Sequence, residues 1–328
     1  MTDPMLETDL AGVRLRSPVL LAAGTAGTLD ETADVLRLGR IGGMVTKSIT
    51  REPREGNATW RILPSKAGML NAIGLANVGI DGFLEHYASR VAEQPCAVFA
   101  SVAGNRIEDY AHVAERMDAV PGLAGIELNV SCPNVHGGTE FGADAGALSE
   151  LIATVRPLVS RARLVVKLSP IAVGRPGIAD IARAAIDPPG STMLAGPNQS
   201  PGADALSISN TIPAMAIDVQ TRRPMLSNVT GGLSGPALHP VAVKLVHDAY
   251  RAVCRDAGVP IIGVGGVMRW QDAAAFILAG ATAVQAGTLL FVSPRRAERL
   301  SVGLAKWAKS QGVERLADLV GAVDLKKP

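Results

Sequence analysis

Short apolar runs rich in β-branched residues alternate with longer amphipathic stretches along the whole chain. The runs at residues 18–23, 43–47, 97–101, 125–129, 164–168, 205–209, 260–263 and 283–286 have the length and composition of strands. Between them, apolar positions at helical spacing predict helices at 30–38, 80–92, 107–117, 145–161, 177–185, 240–257, 271–279 and 294–311. The strands read as continuous apolar runs, the pattern of a parallel sheet covered on both faces. Eight strand–helix alternations fit a closed (β/α)8 TIM barrel better than an open doubly wound sheet. A length of 328 residues suits one such α/β domain spanning 1–328.

Two stretches fall outside the alternation. Residues 51–76 are rich in Pro, Gly, Asn and Arg and predict long loops or a small β excursion above the second strand. Residues 187–202, DPPGSTMLAGPNQSPG, form a Pro/Gly/Ser insertion before the sixth strand, with the composition of a surface loop or lid.

Hydrophobic residues make up 48% of the chain and charged ones 19%, enough apolar material for a large core. The net charge is +2 with both signs interspersed, so neither a polyanion nor a membrane surface is an expected partner. Arg161-Ala162-Arg163 reads as a solvated helix end. No apolar run reaches bilayer-spanning length, and three acidic residues precede the first arginine, unlike a secretory leader. A cytoplasmic protein is expected. The three cysteines, Cys96, Cys132 and Cys254, show no paired spacing, and no CxxC or Cys/His cluster offers a metal or iron–sulfur site.

In a barrel, binding and catalytic groups gather at the carboxyl ends of the strands. Here those ends read Gly24, Lys47-Ser48, Ser101, Asn129 with Cys132, Lys167, Asn210-Thr211, Gly265-Gly266 and Gly287-Thr288. Two apolar strands ending in lysine require an anion or acceptor in the mouth. The glycine corners after the last two strands allow backbone N–H groups to approach a phosphate. A third cluster, residues 230–235, could cover the same ligand. The ring points to a phosphorylated, ring-containing cofactor. Between the fourth strand and its helix lies Glu127-Leu128-Asn129-Val130-Ser131-Cys132-Pro133-Asn134. A lone cysteine is ordinarily a small buried hydrophobe. A thiol in a turn between two carboxamides, however, suits proton transfer beside a planar, amide-rich substrate.

From about Leu10 to Leu319 the chain resembles the dihydroorotate dehydrogenases. The resemblance rests on Thr46-Lys47-Ser48, Asn71-Ala72-Ile73-Gly74-Leu75, Asn129-Val130-Ser131-Cys132-Pro133-Asn134, Val166-Lys167-Leu168-Ser169-Pro170, Ser209-Asn210-Thr211, residues 228–236 and the two glycine corners. It implies an FMN-containing barrel that oxidises (S)-dihydroorotate to orotate in pyrimidine (UMP) biosynthesis. Cys132 would remove the C5 proton while the C6 hydride passes to flavin N5. Lys47, Asn71, Asn129, Asn134, Asn210 and Thr211 would hold the substrate's carboxylate and ring amides, with Ala72, Ile73, Gly74 and Leu75 lining the same place. Ala23, Gly24, Lys47, Ser48, Ser101, Asn129 and Ser209 would face the flavin. Lys167 would stabilise its reduced, anionic form. Gly235, Gly265, Gly266, Gly287 and Thr288 would cradle the ribityl phosphate.

The wording NAIGL, His136-Gly137-Gly138 and NVTGGLSGP is most similar to the class 1 enzymes of subclass 1B, which are NAD-linked through a second subunit bearing FAD and a 2Fe–2S cluster. A homodimer, or a heterotetramer with that subunit, is implied. A stand-alone, fumarate-linked class 1A-type enzyme, a dehydrogenase of another dihydropyrimidine such as dihydrouracil, and a silent flavin-binding barrel are the alternatives. Two residues depart from the family pattern: Ala23 stands where serine is common and Ser101 where asparagine is. Each change is expected to remove one hydrogen bond to the cofactor, about 1 kcal/mol.

Overall fold

The computed structural model describes residues 3–131, 141–171, 173–188 and 200–326. Eight parallel strands close into a barrel: β1 Val19–Leu21, β2 Gly43–Val45, β3 Ala97–Val102, β4 Leu123–Asn129, β5 Arg163–Leu168, β6 Ala205–Ile208, β7 Ile261–Val264 and β8 Ala283–Ala286. They pair in sequence order and β8 closes on β1, with Gln285 opposite Leu20. Helices α1 Gly79–His86, α2 Ile107–Asp118, α3 Ala145–Val155, α4 Ile178–Ile186, α5 His239–Ala249, α6 Trp270–Ala279 and α7 Arg296–Ser310 form the outer layer. The expected TIM barrel is therefore the fold.

Two separate apolar cores follow from the two faces of each strand. Outward residues such as Val19, Leu21, Met44, Val98 and Ile126 pack under the helices. Inward residues Leu20, Val45, Phe99, Val165, Ile262 and Ala283 fill the barrel itself. A hairpin of Thr8–Leu10 and Val13–Leu15 stoppers the amino-terminal end, inserting Leu10 and Leu15 into that inner core. With its lower half filled, the barrel is open only at the carboxyl ends of its strands.

One expected element is absent. Residues 30–38 form successive turns, with Ala33 N donating to Asp30 O and Leu36 N to Thr32 O, followed by a 3-10 turn at Leu38–Arg40. Thr32, Asp34 and Val35 are weak helix formers, and the Glu31 carboxylate bonds back to the N–H groups of Thr28 and Leu29 at 2.8 Å. Leu29, Leu36 and Leu38 are buried without a helix to present them. Elsewhere the differences are of detail. Pro157 lies in a 3-10 turn after α3, the 80–92 helix breaks at Tyr87, and α5 runs on through a π-helical turn at Tyr250–Cys254.

The excursion at 51–76 is a β hairpin, Ile62–Ser65 and Gly68–Asn71. It is extended by Gly231–Ser234 and Ile212–Ala214 into a four-stranded antiparallel sheet over the barrel mouth. The third glycine cluster is thus a strand paired with the hairpin. Of the insertion at 187–202, residues 189–199 lie outside the described residues.

The base of the barrel is fixed by one buried ion pair. Arg156, just past α3, places Nη1 2.9 Å from Asp204 Oδ2, and both residues are buried. The same carboxylate oxygen accepts from Leu164 N at 2.7 Å, joining α3 to the starts of β5 and β6. Removing one partner leaves the other charge buried and uncompensated. Asp204→Ala is expected to lower the unfolding free energy by about 3–5 kcal/mol, to be measured by urea denaturation.

Candidate active site

The strand ends and the overlying sheet enclose a cavity of about 410 Å³. That lies within the usual range for a small-molecule site. On one side stand Lys47, which follows β2, and a pair of carboxamides, Asn129 ending β4 and Asn210 following β6. Asn210 Nδ2 donates to Asn129 Oδ1 at 3.0 Å, and Asn210 Oδ1 accepts from Thr211 N at 2.8 Å. The Asn129 carbonyl accepts from the buried Tyr110 hydroxyl at 2.6 Å, which fixes the end of β4 against α2. Among the described residues no carboxylate pairs with Lys47, so the cavity holds an ammonium free to meet an anion.

The floor is hydroxyl-rich. Ser48 and Ser101 share a hydrogen bond of 2.8 Å, and Thr46 Oγ1 accepts from Ser101 N at 3.0 Å. Lys167, 7% exposed, comes up from β5 beside the buried Ser209. Gly24 adjoins this floor with φ +78, and a Cβ there would meet no atom within 4 Å.

The opposite corner is built of backbone. Gly266 has φ +65, and a Cβ on it would stand 2.7 Å from the Gly235 carbonyl oxygen. Only glycine lets these two segments approach so closely. Thr288 Oγ1 donates to Ser234 Oγ at 2.9 Å, joining the corner after β8 to the covering sheet, and His239 Nδ1 lies 3.0 Å from Gly265 O, joining the corner after β7 to the start of α5. Uncharged N–H groups and hydroxyls gather here, as a phosphate site requires.

The cavity brings together Ala23, Gly24, Lys47, Ser48, Asn71, Ile73, Leu75, Ser101, Asn129, Lys167, Ser209, Asn210, Thr211, Gly235, Gly265, Gly266, Gly287 and Thr288. Ala72 and Gly74 do not line it. Their segment is held from behind by Asn57, whose Nδ2 donates to Ala72 O and whose N donates to Ile73 O, both at 2.9 Å. Cys132, Asn134 and His136-Gly137-Gly138 lie outside the described residues. The wall also includes Ser234, from the third glycine cluster, and Arg61, Ile62, Met69, Leu238, Val264 and Phe291, which sequence reasoning passed over. Most of these belong to the hairpin and its partner strand, whose docking over the mouth leaves no local pattern. Beneath the floor lie Glu127, Ser207 and Gln285, all buried and hydrogen-bonded to one another. Their alternation with Asn129, Ser209 and Gly287 at period two was the available signal.

The sequence profile of the family "Dihydroorotate dehydrogenase" matches residues 5–307. The chain belongs to the dihydroorotate dehydrogenase family. Proteins named dihydroorotate dehydrogenase B (NAD(+)), catalytic subunit, resemble it over almost their whole length. That of Geobacter sp. (strain M21) is 43% identical over 326 residues, 99% of this chain and all of that protein. That of Geotalea uraniireducens is 43% identical over 324 residues, 98% of this chain and 99% of that protein. The crystal structure of DHODH from Eimeria tenella in complex with ferulenol superposes with a TM-score of 0.80, covering 98% of this chain and 89% of that one. At 23% identity that likeness speaks for the fold alone. Among the described residues no helix is long and apolar enough to cross a membrane.

In this dihydroorotate dehydrogenase family member the two described cysteines, Cys96 and Cys254, are both buried. Burial pushes the Cys96 thiol up to about 11, against the opposing pull of the Arg16 guanidinium, and the Cys254 thiol up to about 12. At pH 8 fewer than about one in a thousand of either is ionised. Native alkylation at pH 8 is therefore expected to spare Cys96 and Cys254 and to label them only on unfolding. Peptide mass mapping assigns any native labelling, which should fall on Cys132.

Proposed function

We propose that this chain is the catalytic subunit of an NAD-linked dihydroorotate dehydrogenase of class 1B, a cytoplasmic FMN-binding barrel acting in pyrimidine biosynthesis. The observation that carries this reading is the Lys47 ammonium, without a carboxylate partner among the described residues, in one cavity with the Asn129–Asn210 carboxamide pair and the glycine corners. A carboxylate with adjacent ring amides is the ligand that such a set recognises. The flat, phosphate-bearing group that the rest of the cavity fits is FMN. The open space at Gly24, the glycine and hydroxyl groups of the phosphate corner and the Lys167 ammonium support this assignment.

In this reading Lys47 takes the substrate carboxylate, while Asn71, Asn129, Asn134, Asn210 and Thr211 fix the ring edges. With the substrate so held, Cys132 is the base that removes the C5 proton. FMN, when bound, would supply the hydride acceptor for this oxidation. Gly265, Gly266, Gly287, Thr288 and Gly235 hold its phosphate, and Lys167 favours the reduced anion. The overlying sheet excludes water from the reacting face. The relatives' name, catalytic subunit with NAD(+), supports an electron-transfer partner; the family resemblance extends this to a subunit bearing FAD and a 2Fe–2S cluster, joined to a homodimer of this chain.

Anaerobic addition of dihydroorotate to the purified chain is expected to bleach its flavin band rapidly. Cys132→Ala should retain the flavin yet slow bleaching by about 100-fold or more, the range for loss of a general base. A variant that bleached at the parental rate would remove Cys132 from the mechanism. Reoxidation of the isolated chain by fumarate would overturn the NAD-linked assignment.

A further inference from the structure

Below the cavity floor the barrel interior holds a carboxylate that the reaction above does not use. Glu127 is 1% exposed, in the middle of β4. Its Oε2 accepts from Ser207 Oγ on β6 and from Gln285 Nε2 on β8, both at 2.7 Å. Glu127, Ser207 and Gln285 come from alternate strands, as the members of one interior layer of a barrel do. The other oxygen, Oε1, accepts no hydrogen bond and stands 3.6 Å from the Lys167 ammonium. The backbone register explains the approach: Lys167 lies between Asn129 on β4 and Ser207 on β6.

A layer with only a packing role would not need an acid here. Ser207 and Gln285 could bond a glutamine carbonyl as readily as a carboxylate oxygen. Their two hydrogen bonds instead pin Oε2 and leave a full charge beside the lysine. A buried carboxylate held this way is tolerable only with its counter-charge close by. Lys167 is also the cation on the cavity floor. Two unlike charges this close in surroundings poorer than water in screening act strongly on each other and on any third charge nearby.

We propose that Glu127 is a positioning residue: it holds Lys167 at the floor and offsets part of its charge, so that the pair sets how strongly the site favours reduced, anionic flavin. This rests on the FMN reading above. The lysine draws electron density toward the flavin's pyrimidine end, and the carboxylate behind it limits that pull.

The test is the midpoint potential of the bound flavin, read by anaerobic titration against reference dyes, with sulfite affinity as a second reporter of positive charge near the flavin. Glu127→Gln is expected to move the potential positive and to tighten sulfite binding by about tenfold, as removal of one unit charge at this range implies. Lys167→Met should move both in the opposite direction. In the Lys167→Met background, Glu127→Gln should give a clearly smaller shift, because the part due to holding the lysine in place is lost and only the carboxylate's own field remains. Glu127→Asp keeps the charge but withdraws it, and should give a smaller shift in the same sense as Gln. That variant keeps the measurement available if Glu127→Gln does not fold. An unchanged potential in a folded Gln or Asp variant, or an equal shift with and without Lys167, would overturn the proposal. Loss of flavin from both folded variants would also overturn it, assigning Glu127 to cofactor retention. A colourless parental protein would instead refute the FMN reading itself, so the two failures are separable.

Discussion

In a closed parallel barrel each strand sends alternate side chains into an interior that water does not fill, so a polar residue there must be bonded by its neighbours or reach the open mouth. This protein meets that constraint by height. Leu20, Val45, Phe99, Val165 and Ile262 fill the lower half, over the stopper of Leu10 and Leu15. Glu127, Ser207 and Gln285 form a bonded polar layer above them. Only above that layer do Lys47, Asn129, Lys167 and Asn210 reach the cavity. The gradient from apolar base to charged mouth makes one end of the barrel a foundation and the other a site.

The same constraint explains why the site is shared among so many elements. No strand end can hold a large ligand alone, since neighbouring strands are about 4.8 Å apart. The lysines, carboxamides and glycine corners therefore come from different strands and converge only when the sheet closes. The hairpin at 62–71 and the strand Gly231–Ser234 then roof the opening. Ile62, Met69 and Ser234 become wall residues through that pairing, and Arg61 joins them at the start of the hairpin, its guanidinium held by the carbonyls of Glu55 and Asn57.

Family membership and fold agree. The chain is about 43% identical to catalytic subunits over nearly all of its length, and its barrel superposes on a DHODH at 23% identity. At residues 30–38 turns replace an expected helix without disturbing the barrel, because β1 and β2 are aligned by their own pairing.

The sequence by itself determined the eight strands, their parallel closure and most of the polar ring, because apolar runs bounded by glycine, lysine and asparagine are local signals. Lys47, Asn129, Lys167, Asn210 and the corners at Gly265 and Gly287 were legible for that reason. The turns at 30–38 were not, because amphipathic spacing counts apolar positions and cannot see Glu31 bonding backward to Thr28 and Leu29. Only the tertiary structure decided that the hairpin roofs the mouth and that Arg156 meets Asp204 across the barrel base. It alone set Glu127 against Lys167, since that contact joins residues on two strands whose facing depends on the register of the closed sheet.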